Sequence, residues 1–306
     1  MGPPMSNRGV YPLIGGDVAG TACAGFDAYS STVFHNADAL YDELFVLLES
    51  AGFEPVRADG MKARFYATNR LLLDAKGHQL LALKSGGANP HPHVECTGWA
   101  SRTLALHLRA NFHHRPTRID HAQDRTLPLG EFDRVHEYAQ ALCKQHRVRL
   151  SYGGDWSTPD AGRTIYIGSR QSQVCVRIYE KGLEYAHKLG LPITDELRQW
   201  VRFELEFKPQ TDVAKKLAPF IEGVQMWGST CWTDQLASEV LAVATEPVSI
   251  RERRESNRER ALRFMAAQYG GHLRALFDEC QGDFTEFGRV IADLADCSSS
   301  QASSAA

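Results

Sequence analysis

Three short alternating segments of this sequence place charged side chains around a tyrosine. Every second residue of a strand shares a face. Asp120, Ala122 and Asp124 share one face of the first segment. Cys175, Arg177, Tyr179 and Lys181 share a face of the second, while Val174, Val176 and Ile178 point the other way. Arg202, Glu204 and Glu206 share a face of the third, opposite Val201, Phe203, Leu205 and Phe207. The apolar sets need a core. The carboxylates, Arg, Tyr and Lys must therefore occupy the opposite side of the same sheet.

Carboxylates gathered beside a tyrosine repel one another, and a bound cation relieves that. Magnesium or manganese prefers hard oxygen ligands, so Asp120, Asp124, Glu204 and Glu206 are the candidate metal ligands. Such an ion beside phosphate oxygens polarises the phosphorus. A phenol with its usual pKa of ~10 is a poor nucleophile, and a nearby cation makes it competent by favouring the phenolate. Each feature taken singly has a plainer explanation. A polar sheet face is usually solvated, an Asp pair often belongs to a turn, and a strand tyrosine usually packs. Gly168-Ser169-Arg170 alone is a turn. The coincidence of three such faces favours chemistry.

The surrounding pattern supplies the elements that must position these groups. Residues 1–25 are Gly- and Pro-rich and read as irregular. Phe26–Phe34 has strand composition. Asn36 then suits a helix cap, and Leu40, Leu44, Leu47 and Leu48 form a helical stripe. Strands are predicted over Lys62–Thr68, over Arg70–Lys84 (broken by the Asp74–Gly77 turn) and over His93–Cys96. Thr103–Phe112 and Glu131–Arg147 read as helices. Thr117–Asp124, Arg163–Gly168, Gln173–Glu180 and Trp200–Lys208 read as strands. From Gln210 onward the pattern is helical, with a joint at Glu246-Pro247 and the charged run Arg251–Arg263. The fold class is α+β: antiparallel sheet with flanking helices, followed by a mainly helical C-terminal region. The divisions are an irregular 1–25, a catalytic 26–209, a helical 210–297 and a disordered tail 298–306.

These residues and their order resemble the Rep_trans family of rolling-circle replication initiators, known from small plasmids with relatives in filamentous phages. The resemblance lies in the stretch 117–124, in Thr164-Ile165-Tyr166-Ile167-Gly168-Ser169-Arg170, in Arg177-Ile178-Tyr179-Glu180-Lys181, and in the segment 200–206. It implies a nucleophile at Tyr179 that nicks one origin strand, keeps the 5′ phosphate as phosphotyrosine and frees a 3′ hydroxyl primer. It also implies an acidic Mg2+ or Mn2+ site at Asp120 and Glu204, with Asp124 and Glu206 as further ligands. Lys181 would steady the phenolate or the scissile phosphate. Arg170 and Arg177 are the phosphate contacts, since guanidinium grips phosphate bidentately. Arg109 and Arg118, on the wider basic surface, are further expected phosphate contacts. The implied partners are origin DNA, both double-stranded and as the nicked strand, host helicase and polymerase, and a second copy in a homodimer. His91-Pro92-His93 resembles the metal motif of a different rolling-circle class, but proline suits its centre poorly. Thr97-Gly98-Trp99 departs from the family's usual Gly-Gln-Gly turn and leaves Glu95 without an assigned role.

Two other classes compete. One is a DNA-binding regulator on an inactivated initiator scaffold; the intact tyrosine and carboxylates argue against it. The other is a hydrolytic nuclease, which would leave no protein–DNA adduct. Composition bounds the choice. The net charge of -3 does not advertise a nucleic-acid binder, yet the stretch 101–190 is basic. The seven cysteines are widely spaced without a CxxC pair, which argues against a zinc ribbon and for reduced thiols in a cytoplasmic protein. No apolar run is long enough to span a bilayer, and the first ten residues lack a signal-peptide core.

Overall fold

The computed structural model describes residues 24–61, 63–158, 160–250 and 257–303. The chain runs through β1 (Ala24–Val33), α1 (Ala37–Ser50), β2 (Val56–Asp59), β3 (Thr68–Leu73), β4 (Gln79–Ser85), β5 (His93–Thr97), α2 (Ala100–Asn111) and β6 (His114–Thr126). It continues with α3 (Glu131–His146), β7 (Leu150–Gly154), β8 (Arg163–Ile167), β9 (Val174–Glu180), α4 (Lys181–Leu189), α5 (Asp195–Gln199) and β10 (Trp200–Phe207). After α6 (Asp212–Leu217), a 3-10 turn at Gln225–Ser229 and α7 (Cys231–Glu239), the long helices α8 (Asn257–Glu279) and α9 (Phe284–Ser303) follow.

All ten strands join one sheet in the order β2-β3-β4-β5-β1-β6-β10-β9-β8-β7, antiparallel throughout. One face is apolar for a reason legible in each strand: Tyr29, Leu81, Val94, Ile119, Phe203 and Ile178 occupy alternate positions and are fully buried. Leu40, Leu44 and Leu48 of α1, Leu104 and Leu108 of α2, and Val135 and Ala139 of α3 join that core. Asn36 caps α1 as its position predicts, its side chain accepting from the Asp38 and Ala39 amides at 3.0 and 3.1 Å.

The predicted strand over 62–68 is a loop among the described residues. The strand lies upstream at β2, and Phe65 turns the chain with φ 70°. The division at Gln210 is not a break in packing. Ala214, Ile221, Met226, Trp227 and Leu236 are buried in the core that β10 and β6 also serve, so one unit reaches Glu252. Arg109 explains part of this continuity. Its guanidinium donates to the Ala218 and Ile221 carbonyls at 3.3 and 3.0 Å and lies 4.7 Å over the Phe26 ring. These bonds make Arg109 a clamp between α2 and the segment after α6. The second unit, from Arg253, holds α8 and α9, which meet next to their connection through Phe277 against Phe284 and Phe287. The tail expected to be disordered is helical as far as Ser303. Residues 1–23, the six residues 251–256 of the charged run, and 304–306 lie outside the described residues, as does part of the cysteine inventory. Cys96, Cys143, Cys175, Cys231 and Cys280 are free thiols. Among the described residues no helix is long and apolar enough to cross a membrane.

His121 shows how tightly the later segment is docked. Its Nδ1 accepts from Trp227 Nε1 at 2.9 Å, and a Cβ on Gly223 would fall 2.2 Å from its ring. Burial pulls its pKa down to about 4. Because the unfolded value is ~6.5, the unfolded chain binds more protons between these limits. Stability from neutral His121 is full above pH ~6.5 and is lost as pH falls through about 4, a loss of up to about 3 kcal/mol. Urea unfolding at pH 7 and pH 5 should show this slope, and His121→Gln, which keeps an acceptor for Trp227, should flatten it. Equal slopes for both proteins would remove His121 as the cause.

Candidate active site

Register decides which side chains meet. Asp120 pairs with Glu206 and Glu206 with Cys175; Ala122 pairs with Glu204, Glu204 with Arg177, and Arg177 with Tyr166. Asp124 pairs with Arg202, Arg202 with Tyr179, and Tyr179 with Thr164. Directly opposed residues of antiparallel strands share a face. The three polar rows therefore lie together on the side of the sheet away from the core.

The carboxylates do not repel one another, because an arginine stands beside each. Arg202 grips Asp124 bidentately at 2.6 and 2.7 Å and reaches Asp27 at 3.1 Å. Arg177 meets Glu204 at 2.6 Å. Arg118 donates to both Asp120 oxygens at 2.8 and 2.5 Å and to Glu206 at 2.9 Å, and Lys208 meets Glu206 at 2.6 Å. Sequence reasoning counted the negative charges and left out how register would interleave the positive ones. In the sequence Asp27 falls within the Phe26–Phe34 strand, to which the family resemblance extends, without an assigned role. A β-bulge between Phe26 and Ala28 makes it an extra residue in β1, and its carboxylate, 1% exposed, reaches Arg202. Alternation alone could not have found it.

Whether these residues suit a divalent cation depends on convergence. Among the described residues, no group of three His, Cys, Asp or Glu side chains is disposed to hold a metal. Asp124 and Glu204 are held by Arg202 and Arg177 and do not point to a common spot with the others. Asp120 and Glu206 do converge: Nη2 of Arg118 sits 2.5 and 2.9 Å from one oxygen of each. A cation between two hard carboxylates is a stand-in for a metal, and two carboxylates are a usual protein share for Mg2+ that also binds substrate phosphate. The donor set fits at Asp120 and Glu206, and the four-ligand cluster does not form. His93 lies two strands away with Glu95, which also meets Lys84 at 2.6 Å. Hydrogen bonds from His93 and Lys84 hold the Glu95 carboxyl down at about 2.

Tyr179 is 5% exposed, and its hydroxyl is buried without a hydrogen-bond partner. Leaving a buried polar group unpaired costs free energy, so its presence asks for a reason. Burial, with the Glu204 carboxylate next in size, pushes its pKa well above the ordinary phenol value. The Arg177 guanidinium lies 4.7 Å from the ring centroid and the Lys181 ammonium 5.6 Å. Lys181 is not a strand residue: β9 ends at Glu180 and Lys181 opens α4, paired with Glu184 at 2.8 Å. Burial lowers its pKa. The first turn of α4 thus lies against the tyrosine. It is fixed there by Gly182, where a Cβ would come 1.9 Å from the Leu197 carbonyl of α5. Tyr166, on the same face, is half-buried and stacks under Arg170 at 5.1 Å, while Tyr185 packs on Trp200.

Residues 115–218 match the model of the Rep_trans family, described as a replication initiation factor. NicK of Bacillus subtilis (strain 168), whose name assigns it as a DNA relaxase, is 45% identical over 96 residues, 30% of this chain and 27% of the relative. The chain therefore spans about a quarter of that relative's length. A solved structure of a rolling circle replication initiator protein from Geobacillus stearothermophilus aligns with 81% of this chain and 96% of its own. Its identity of 19% and TM-score of 0.46 are too low to bear on the site. The family match covers the three polar rows from β6 to β10.

Proposed function

From the Rep_trans match over residues 115–218, we propose that this chain is a rolling-circle replication initiator that nicks and rejoins origin DNA through Tyr179. The observation that carries the reading is the buried, unpartnered hydroxyl of Tyr179, whose ring has two cations beside it, on the face that the family match contains. The phenol oxygen attacks a backbone phosphorus, a new O–P bond forms, and the bond to the 3′ oxygen breaks. The phenol proton leaves and the departing oxygen takes one up, giving a 3′ hydroxyl and a 5′-phosphotyrosine. The reverse steps rejoin the strand.

Arg177 and Lys181 provide the positive field for the phenolate, and Arg202 directly opposes Tyr179 in register. Arg170, exposed at the end of β8, is placed for the phosphate on the outer side. Asp120 and Glu206 would hold Mg2+ or Mn2+ with Arg118 displaced, and the ion would neutralise charge on the attacked phosphate. Hard oxygens without sulfur favour these ions over zinc. Origin DNA is the substrate. A host helicase, a polymerase and a second copy of the chain are the partners the function calls for.

Incubation with supercoiled replicon DNA and Mg2+ should give nicked circles and, on a denaturing gel, protein linked to DNA. EDTA should abolish both and Mn2+ restore them. Asp120→Asn should raise the Mg2+ needed by about tenfold or more, since one of two protein ligands is weakened. Nicking without any linked product would favour hydrolysis and overturn the proposed chemistry.

A further inference from the structure

We infer that the loop between β2 and β3 is a DNA wedge: Met61 and Phe65 insert between bases where the origin duplex opens, on the face that carries Tyr179. This rests on the strand-transfer reading above.

Met61 is 91% exposed and Phe65 71%. Phe65 adopts φ 70°, a region that a bulky aromatic rarely enters. Such strain persists only where the surroundings impose it, and it gathers at functional sites. Here the surroundings do impose it. The Phe65 carbonyl lies 2.6 Å from where a Cβ of Gly87 would be, so only glycine, with φ 87° at that position, lets the two loops close. The Tyr66 amide donates to the Ala63 carbonyl at 3.2 Å and the Ala67 amide to Ser85 at 3.0 Å. The loop's ends are anchored while its two largest apolar side chains face solvent, beside an open hollow of about 630 Å3.

The face is fixed by a ring contact. Tyr66 stacks on His93 with centroids 6.1 Å apart, and His93 reaches Thr32 and Glu95, both at 3.5 Å. His93 pairs in register with Thr32, and Thr32 with Arg115, on the side of the sheet that bears the polar rows. Five strand spacings separate β4, at the loop's foot, from β9, which carries Tyr179. At ~4.8 Å each that is ~24 Å across the strands, and the Tyr179 row meets β1 near Ala24, about eight residues of ~3.3 Å before Thr32, so the two lie ~36 Å apart, about eleven base steps of ~3.4 Å. A wedge and a nucleophile at that separation can act on one short stem.

The occupant is nucleic acid because charge accompanies the apolar tip. The Arg64 guanidinium lies 5.0 Å over the Phe65 ring, and exposed Arg115 lies along the path to β9. Architectural DNA-binding proteins pair an apolar wedge with neighbouring cations in this way, unstacking a step and kinking the duplex. The nick needs such unstacking, since a tyrosine on a sheet face requires an extended strand rather than a closed duplex.

The nick position is mapped first, with the wild-type full-length chain and Mg2+ on supercoiled DNA of its own replicon. Two oligonucleotides of that sequence are then compared, a closed hairpin carrying 2-aminopurine beside the nick and an unpaired single strand. The double variant Met61→Ala, Phe65→Ala should lose the fluorescence rise on the hairpin and cleave it about tenfold or more slowly, in line with losing base stacking. It should cleave the single strand at the wild-type rate. Opening and cleavage of the hairpin at wild-type levels by the double variant would overturn the wedge. So would a change from dimer to monomer in sedimentation with DNA opening intact, which would assign the loop to a second copy. A wild-type chain that neither nicks nor links to the single strand would overturn the strand-transfer reading, and the wedge with it.

Discussion

Tyr179→Phe is expected to abolish both the nick and the covalent adduct, lowering the single-turnover rate by about 10⁴-fold or more, as removal of a nucleophile does. The substitution deletes one oxygen from a ring that is 5% exposed, and that oxygen has no hydrogen-bond partner to strand. Folding should therefore be unharmed, and the variant should be slightly more stable than the parent, because a buried polar group without a partner disfavours the folded state. Gain of stability together with loss of activity distinguishes a strained functional group from a packing residue, whose hydroxyl loss would change little. Affinity for the origin should persist, since phosphate contacts by arginines position DNA independently of the nucleophile. Tyr166 is the rival. It shares the face, is more exposed, and sits beneath Arg170. Peptide mapping of trapped complexes decides between them: a nucleotide on Tyr166, or wild-type nicking by Tyr179→Phe, would move the chemistry one strand outward.

Much of this face was legible in the sequence because strand period is rigid. Once β6, β9 and β10 are recognised as neighbours, alternation alone sends Asp120, Arg177, Tyr179 and Glu204 to the side opposite Ile119, Val176, Ile178 and Phe203. Register was not legible, and register decides electrostatics. Placing Arg202 between Asp124 and Tyr179, and Arg177 between Glu204 and Tyr166, turns an acidic cluster into alternating ion pairs. Chain ends of elements were equally hidden. Lys181 reads as the next strand residue after Tyr179, yet the chain turns into α4 at that point, which brings the ammonium against the ring from another direction. Arg109 had the composition of a basic surface, and only the later segment carrying Ala218 and Ile221 reveals it as a clamp. Long-range contacts of this kind leave no local signature.

Arg202→Met should be the most destabilising single change on the polar face. The guanidinium is 2% exposed and satisfies two carboxylates from different strands, Asp124 on β6 and Asp27 at the β1 bulge. Methionine matches the length of the stem and takes this cation from buried Asp27 and from partly exposed Asp124. Breaking a buried pair from one side costs about 3–5 kcal/mol, and for a unit of this size that lowers Tm by about 10 °C. Arg202→Lys keeps the charge but cannot bond Asp124 with two parallel donors while reaching Asp27, so it should fall between. The triple change Arg202→Met, Asp27→Asn, Asp124→Asn removes the uncompensated charges and should recover most of the lost stability, because a buried ion network often adds little over a neutral replacement. Its activity should not recover with its stability. Arg202 directly opposes Tyr179 across the β9–β10 pair, and a neutral replacement removes positive charge that lowers the phenol pKa. Cleavage of a single strand by the refolded triple variant should therefore stay well below wild type and rise more steeply with pH, as a phenol harder to ionise requires. A triple variant that cleaved at the wild-type rate with a wild-type pH profile would confine Arg202 to holding β1, β6 and β10 together.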